Sequence, residues 1–389
     1  MCGRLFICGK PGDKKNFLMN YRQRQIRLQE VLEGRRLRAL MVVHRPNVRY
    51  LCGFTGSAGI LVFLREKKAG RWTRTLFTDG RYTQQAREQC QGVRVVIPRM
   101  AVLDGVARYL GAARVEAAGF GSGHMTVEEK THLEAALRRA TKPGKRVALR
   151  PIGLLVEGQR MVKEPAEIRA LAAAVKLGSR VFAYGVKRIR PGMSEAGLAA
   201  EIEYFARRNG AEGMSFDTLI AGGRRSALPH GVASANRLPG KGFVIMDLGV
   251  ILGGYCSDMT RTVHLGPAGK EARRIYQAVL EAELAALSAV KPGAASGDVD
   301  AAARKVLRKY GYARYFTHST GHGVGLEIHE PPRLGKGQVE KLAPGMVVTV
   351  EPGAYIPGVG GVRIEDMVLV TRTGCKVLTP TPKQLIEIT

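Results

Sequence analysis

Residues 243–261 read FVIMDLGVILGGYCSDMTR, and this stretch has the pattern of a β-hairpin that carries two carboxylates. Two apolar runs flank Gly253-Gly254, a pair that is typical of a two-residue hairpin turn. With such a turn the numbers of paired residues add to an odd value, so Asp247 and Asp258 share one face, opposite each other or one diagonal step apart. Two carboxylates on one face repel each other, and Asp247 follows three apolar residues where a bare charge is costly. The pattern therefore predicts a cation between them.

A second pair of carboxylates has a similar setting nearer the C-terminus. Residues 346–351 predict a strand that ends at Glu351, and residues 361–370 predict a returning strand that contains Glu365. The glycines and prolines between Pro352 and Gly361 predict a loop that joins the two strands. Upstream, His322 lies among glycines, which allow the backbone and a metal ion to come close.

These side chains predict a site for two metal ions. The candidate ligands are one imidazole and four carboxylates: Asp247, Asp258, His322, Glu351 and Glu365. Oxygen-rich ligand sets suit ions of the Mn²⁺ type better than a thiolate-rich zinc site does. Two such ions, about 3.5–4 Å apart, can share a hydroxide near neutral pH, which indicates hydrolysis.

The second half of the chain resembles the pita-bread metallopeptidases, the family of methionine aminopeptidase, aminopeptidase P and prolidase. The matching segments are MDLG at 246–249, SDMTRT at 257–262, THSTGHGVGLEIHEPP at 317–332, EPGAY at 351–355 and VRIEDM at 362–367. In the first half, YLCGFTGSAG at 50–59 and FTDGRYTQQA at 77–86 resemble the N-terminal domain that aminopeptidase P and prolidase share with creatinase. The resemblance implies an α+β protein: a C-terminal pita-bread (creatinase/aminopeptidase) fold preceded by a smaller α/β creatinase-like N-terminal domain.

The resemblance also implies a role for each candidate ligand. Asp247 is expected to chelate one metal ion, and Asp258 and Glu365 are expected to bridge the pair. His322 and Glu351 are expected to bind the other ion, and Glu351 would also take a proton from the attacking water.

Four further residues obtain roles from the same resemblance. His230, in the segment SALPHG at 226–231, and His329 would polarise the scissile carbonyl or shuttle protons, and either could stabilise a developing oxyanion. His318 and Arg363 would support the metal ligands or bind substrate.

The implied activity is hydrolysis of the bond between an N-terminal residue and a following proline. That bond is a tertiary amide, which peptidases that need its N–H cannot handle. The resemblance implies two divalent ions, Mn²⁺ first with Co²⁺ or Zn²⁺ as alternatives. It implies short peptides with proline at the second position as substrates, and a homodimer for which Tyr50, Arg81 and Tyr82 are candidate contacts. Aminopeptidase and dipeptidase both remain open.

The charge of the chain keeps a second class of function in view. The net charge is +28, and residues 1–163 hold 32 lysines and arginines against 12 aspartates and glutamates. A catalytically weak or inactive homologue could therefore act as a basic binding protein. The basic residues are scattered rather than interleaved with aromatic residues, which favours a solvated face over nucleic acid as a partner.

Length and patterning predict two domains. Alternating strands and helices at 19–155 predict the α/β domain, and 160–389 is the expected catalytic domain. Residues 1–18 have no apolar period, and we expect a loose tail or a mis-annotated start, with Met19 as the alternative initiator. The six cysteines form no C-x-x-C pair, and no stretch has the pattern of a signal peptide or a membrane span, so we expect a cytoplasmic protein that does not bind membranes.

Overall fold

The first half of the chain forms one mixed sheet with helices on both sides. The computed structural model describes residues 19–67 and 69–389, so the expectation of a loose tail at 1–18 lies outside the described residues. The helices are α1 (Tyr21–Gly34), α2 (Arg45–Cys52), α3 (Thr83–Gln89), α4 (Val102–Ala112), α5 (Val127–Ala140) and α6 (Leu155–Met161). The strands are β1 (Ala39–Val42), β2 (Ile60–Arg65), β3 (Trp72–Phe77), β4 (Arg94–Val96), β5 (Ala117–Gly121) and β6 (Ala148–Ile152).

This six-stranded sheet has the order β4-β3-β2-β1-β5-β6. Alternate residues of its central strands enter two different cores, because successive side chains of a strand point to opposite faces. Met41 and Val62 pack with residues of α4 and α5, whereas Leu40 and Leu61 pack with residues of α1 and α2. Both faces are therefore covered, which explains the continuous apolar runs of β1 and β2.

The second half contains four long helices and several smaller sheets. The helices are α7 (Pro165–Arg188), α8 (Glu195–Arg208), α9 (Lys270–Ala289) and α10 (Ser296–Lys309). The strands are β7 (Gly213–Met214), β8 (Leu219–Gly222), β9 (Gly242–Leu248), β10 (Val250–Leu252), β11 (Tyr255–Cys256), β12 (Met259–Leu265), β13 (Gly321–Gly323), β14 (Glu330–Leu334), β15 (Val347–Val350), β16 (Gly353–Ile356), β17 (Gly360–Arg363), β18 (Asp366–Val370), β19 (Cys375–Val377) and β20 (Ile386–Ile388).

The two main sheets of this half are each backed by a helix pair. The sheet β20-β12-β9-β8 turns Val244, Met246 and Leu248 towards α7 and α8. The sheet β14-β13-β15-β18-β19 turns Val348 and Val368 towards α9 and α10. In β9 the residues between the apolar ones, including Asp247, therefore face away from α7 and α8.

Some local structure differs from the sequence-based expectation. The loop expected from Pro352 to Gly361 contains β16, which pairs with β17, and the returning strand at 361–370 is divided into β17 and β18. The division has a physical cause, because the backbone N–H of Glu365 donates to the carbonyl of Thr260 on β12 at 3.1 Å instead of continuing a hairpin. Within the described part of the chain, every helix is too short or too polar to cross a membrane.

Candidate metal centre

The hairpin that carries the two aspartates has the register that the sequence predicts. Gly253 and Gly254 adopt positive φ angles of 60° and 80°, which a two-residue hairpin turn of this type requires. Asp247 pairs with Thr260, and all the cross-strand pairs of β9 with β12 have numbers that add to an odd value. Asp258 lies two residues before Thr260 and is therefore one diagonal step from Asp247 on the same face. The predicted placement of the two aspartates is confirmed.

The second carboxylate pair joins this face from another sheet. Glu351 directly follows β15, and Glu365 lies in the break between β17 and β18. The hydroxyl of Thr260 donates to Glu365 Oε2 at 2.7 Å, so the position of Glu365 is fixed from the hairpin itself. The two glutamates, which are far from the two aspartates in sequence, thus lie beside them in the fold.

His322 on β13 completes the cluster. Its Nε2 lies 3.4 Å from Glu351 Oε1 and 3.7 Å from Asp258 Oδ2. One ligand atom each from Asp258, His322 and Glu365 lie within 4.8 Å of one another. His322 Nδ1 is 3.0 Å from the Gly323 carbonyl. An Nδ1–H donating to that carbonyl leaves the lone pair on Nε2, directed at the carboxylates.

The carboxylates of this cluster are poorly suited to exist without a cation. Burial and the neighbouring Glu365 raise the pKa of Asp258 well above its ordinary value, and burial and Glu351 do the same to the pKa of Glu365. Burial and Asp247, opposed by Arg363, raise the pKa of Glu351 to about 7. Buried acids that repel one another ionise readily only when positive charge lies between them. The donor set therefore fits a pair of divalent ions.

Asp247 supplies a second test of that fit. One of its oxygens, Oδ2, accepts a short hydrogen bond from Arg363. The other, Oδ1, is buried and has no hydrogen-bond partner among the described residues. A buried, unpaired carboxylate oxygen is costly, so it implies a missing partner on the cluster side. A bound cation would be that partner.

A cavity of about 840 Å³ lies over the cluster. Its lining includes all nine residues that the sequence indicates: His230, Asp247, Asp258, His318, His322, His329, Glu351, Arg363 and Glu365. These residues come from strands and loops spread over more than a hundred positions of sequence. The structure thus brings the whole candidate set together, and none of its members lies elsewhere.

The three histidines that are not candidate ligands have different surroundings. The His329 ring packs edge-on against His322 with centroids 4.4 Å apart, and burial lowers the pKa of His329. A neutral imidazole can donate one hydrogen bond into the cavity. His230 is exposed at the rim. Burial and Arg363 lower the pKa of His318 to about 4, so His318 is neutral and hydrogen-bonded to the Tyr355 hydroxyl at 2.7 Å.

Two residues of this site were missed at the sequence level. Tyr355, in the EPGAY segment, accepts from Arg363 Nη1 at 2.7 Å and so links that arginine to His318. Arg333 lines the cavity, and its Nε donates to the Ser319 hydroxyl at 2.7 Å. Arg333 directly follows the HEPP segment, and a cation beside a candidate catalytic histidine was the signal that could have identified it.

Comparison with known proteins agrees with this geometry. Residues 169–372 match the model of metallopeptidase family M24, and residues 24–162 match the model of the creatinase/prolidase N-terminal domain. The chain is 39% identical to the uncharacterized peptidase YqhT of Bacillus subtilis, over 89% of this chain and 95% of that protein. Its structure is similar to the Xaa-Pro dipeptidase from Bacillus anthracis, with a TM-score of 0.88 and 38% identity over 95% of this chain and 100% of that one. It is also similar to the X-Pro aminopeptidase from Thermotoga maritima, with a TM-score of 0.82 and 33% identity over 93% and 100% of the two chains.

Proposed function

Since the chain belongs to metallopeptidase family M24, we propose that it is an exopeptidase that hydrolyses the bond between an N-terminal residue and a following proline. One observation carries the proposal: four carboxylates and His322 converge below a cavity that also holds His230 and His329. The structural relatives from Bacillus anthracis and Thermotoga maritima are a dipeptidase and an aminopeptidase for Xaa-Pro bonds, and this supports the choice of substrate. The fold class expected from the sequence, a pita-bread domain behind a creatinase-like domain, is confirmed by the family matches.

The cluster of five side chains would hold the metal ions, and the remaining residues would act on the peptide. Two divalent ions held by Asp247, Asp258, His322, Glu351 and Glu365 would supply Lewis-acid chemistry and make water nucleophilic near neutral pH. Glu351 lies at the edge of the cluster, with Oε1 3.4 Å from His322 Nε2, where it can accept a proton from attacking water. His329 and His230 line the cavity and can each donate a hydrogen bond to the carbonyl oxygen as negative charge develops there.

Arg363 and its partners would keep the ligand face in place. Besides Asp247, its guanidinium donates to the Thr260 hydroxyl at 3.0 Å and to the Pro229 carbonyl at 2.9 Å. Pro229 is adjacent to His230, so one buried cation fixes a candidate metal ligand and the backbone beside a candidate catalytic histidine. Arg363 is therefore proposed as a positioning residue.

The decisive test is the variant Asp258→Asn. We expect loss of at least one metal ion per chain and of most activity towards an Xaa-Pro peptide, because the amide cannot bridge two cations as a carboxylate does. Metal content is measured by mass spectrometry of the desalted protein, and turnover is measured with and without chelator. Asp104→Asn, a partly exposed position on α4, is the matched control and should retain both. Full metal occupancy with near-normal turnover in Asp258→Asn would refute the assignment.

We further propose that a dipeptide is the preferred substrate. Arg333 and Arg363 are two arginines that line the cavity, and Arg363 is already engaged by Asp247. Arg333 is bound through Nε to Ser319, and its terminal nitrogens can receive the free carboxylate of an Xaa-Pro dipeptide. A tripeptide offers a neutral carbonyl at that position.

A substrate series tests this preference. Replacing Arg333 by Gln should lower kcat/KM for the dipeptide by about 10- to 100-fold, the value of one charge-assisted hydrogen bond. The same change should affect an Xaa-Pro-Xaa tripeptide much less. Equal losses on both substrates, or wild-type preference for the tripeptide, would favour an aminopeptidase instead.

The metal identity that we propose is Mn²⁺. Four of the five candidate ligands offer carboxylate oxygen, and none offers a thiolate. We would test this by adding Mn²⁺, Co²⁺ or Zn²⁺ to separate samples of the metal-free protein and comparing their peptidase activities. A clear maximum with Zn²⁺ would contradict the proposal.

We also propose that the enzyme works as a homodimer in the cytoplasm. Of the three side chains that the sequence suggests as subunit contacts, Tyr50 is 1% exposed beneath Arg24 and cannot reach a neighbour. The Arg81 side chain is ion-paired with Asp79 but 71% exposed, so it can contact a second subunit. The four cysteines of the described chain are free thiols, as a reducing compartment allows. Light scattering of Arg81→Ala beside the wild type measures the assembly, and a monomeric wild type would rule the dimer out.

A further inference from the structure

A second group of metal-ligating side chains lies in the N-terminal half, away from the cavity. It contains His44, at the start of α2, His124, in the turn after β5, and Glu157, on α6. One ligand atom from each lies within 4.8 Å of the others. Glu157 Oε1 is hydrogen-bonded to His124 Nε2 at 2.6 Å and lies 3.9 Å from His44 Nδ1, so a bound ion would replace the proton between His124 and Glu157. Three segments that are far apart in sequence therefore bring two imidazoles and a carboxylate to one point.

The two ring nitrogens of His44 differ in their partners. Nε2 lies 3.2 Å from Glu327 Oε1, the distance of an N–H that donates to a carboxylate. The lone pair is then on Nδ1, which is buried and has no hydrogen-bond partner in the part of the chain that the structure describes. A lone pair that faces the Glu157 carboxylate at 3.9 Å is repulsive unless a positive charge lies between them. A metal-binding histidine whose other nitrogen donates to a carboxylate is a recurrent arrangement.

Glu157 is itself held in place. Asn47 Nδ2 donates to Glu157 Oε1 at 2.6 Å, and Arg160 in turn donates to the Asn47 side-chain oxygen at 2.6 Å. The carboxylate is 10% exposed and so cannot swing into solvent easily. A fixed, partly buried carboxylate beside two imidazoles is a ligand set that favours Zn²⁺ over harder ions.

The space for an ion is small but present. The lining of a cavity of about 30 Å³ includes His44, Asn47, His124 and Glu157 beside apolar residues. That volume is close to the volume that one water molecule occupies in the liquid. The two imidazole rings are stacked, with centroids 3.7 Å apart and planes 7° from parallel. A single ion can lie near both ring planes only if the rings rotate about χ2, a broad and soft torsion in histidine.

We propose that His44, His124 and Glu157 bind one divalent transition-metal ion, with Zn²⁺ as the best fit, separately from the ions of the peptidase centre. The bound ion would link α2, the turn after β5 and α6. The site uses no residue of the proposed catalytic cluster and does not depend on the peptidase activity.

The test counts zinc per chain after equilibrium dialysis of metal-stripped protein. His44→Asn is the informative variant, because Asn is a favoured N-cap and His44 caps α2 without a side-chain hydrogen bond, so folding should be preserved. The wild type should bind one more zinc ion per chain than His44→Asn, and His124→Gln should show the same loss. His132→Gln, at an exposed histidine on α5, is the control and should retain the ion.

Two further measurements keep this result separate from the catalytic centre. Both variants should cleave an Xaa-Pro peptide with added Mn²⁺ at rates within about threefold of the wild type, which also shows that they fold. The difference of one zinc between the His44 variant and its parent should persist in an Asp258→Asn background. Equal zinc counts in the wild type and both variants would overturn the proposal, as would loss of the extra ion in the His132 control.

Discussion

Arg160→Met removes a buried cation that the N-terminal half contributes to Glu330, the first residue of β14, and to Glu327 in the loop before it. The Arg160 side chain is 2% exposed, and its Nη2 contacts Glu330 Oε1 at 2.5 Å and Glu327 Oε2 at 2.7 Å. Glu330 is 3% exposed and is bound a second time by Lys163 Nζ at 3.2 Å. Although burial opposes it, Lys163 and Arg160 hold the pKa of Glu330 below its ordinary value. Methionine keeps much of the apolar stem of arginine and removes only the charge and the donors.

The expected loss of stability follows from this arrangement. Removing one partner of a buried ion pair costs about 3–5 kcal/mol, because the other charge stays buried without compensation. Lys163 still compensates Glu330, and the side chain of Glu327 is 34% exposed and can be solvated, so its contribution is discounted. We therefore expect about 3 kcal/mol of lost free energy of unfolding, the lower end of that range.

The variant should also slow catalysis without loss of Mn²⁺ from the peptidase centre. Glu330 directly follows His329, lines the cavity, and accepts the backbone N–H of Glu327 at 3.1 Å. A displaced loop moves His329, and a shift of about 1 Å in a catalytic group can cost about 100-fold in rate. None of the five candidate ligands contacts Arg160, so the Mn²⁺ content of the peptidase centre should be unchanged.

Urea unfolding of the wild type, Arg160→Met, Glu330→Gln and the double variant tests this account. The double variant should lose at least about 1.5 kcal/mol less than the two single variants together, because neither charge is then left unpaired. Additive losses would refute the coupling. Loss of Mn²⁺ from the peptidase centre in Arg160→Met, rather than lower kcat with full Mn²⁺ occupancy, would refute the positioning role of this contact.

Three other perturbations have defined outcomes. Glu283 on α9 is fully buried with neither carboxylate oxygen hydrogen-bonded among the described residues, and burial raises its pKa well above its ordinary value. Above about pH 4.5 the unfolded chain therefore releases a proton that the folded chain keeps. Urea titrations should show the unfolding free energy of the wild type falling by about 1.4 kcal/mol per pH unit relative to Glu283→Gln, from about pH 4.5 up to the folded-state pKa. A difference between the two proteins that does not change with pH would mean that Glu283 is ionised when folded. Tyr355→Phe removes the hydroxyl that links Arg363 to His318. We expect a loss of about 1–3 kcal/mol in unfolding free energy, measured with urea, and no loss would show that a water molecule replaces the hydroxyl. Removal of the metal by a chelator should abolish activity and lower Tm, because the buried carboxylates then repel one another. Calorimetry before and after Mn²⁺ is restored measures this change, and an unchanged Tm would contradict it.

The aspartate pair was predictable because its geometry is local. Gly253-Gly254 fixes the turn, the turn fixes the register, and the register places Asp247 and Asp258 on one face without reference to the rest of the chain. The same reasoning failed between Pro352 and Gly361, where a run of glycines and prolines contains the strand β16. That strand forms because β17 pairs with it from Gly353 to Ile356, so the pairing rather than local propensity decides it.

The supporting residues of the site were not predictable in this way. Arg363 and Asp247 are 116 residues apart, and Arg160 and Glu330 are 170 apart. No turn or periodicity relates such pairs, since their contact depends on how sheets and domains pack. The cluster of His44, His124 and Glu157 was not predicted from the sequence for the same reason, because it forms only where three distant segments of the chain pack together.

The contact between the two halves is therefore part of the active-site support rather than a passive boundary. The match to the peptidase family begins at residue 169, yet both cations that bind Glu330 lie before it, at Arg160 and Lys163. A chain that began at residue 169 would contain all five candidate ligands but would lose both cations that compensate Glu330 beside His329. A carboxylate without those cations is protonated or moves towards solvent, and either change would disturb the neighbouring His329, which we propose to act on the substrate. All five candidate metal ligands lie in one domain, but the position of Glu330 beside His329 depends on both.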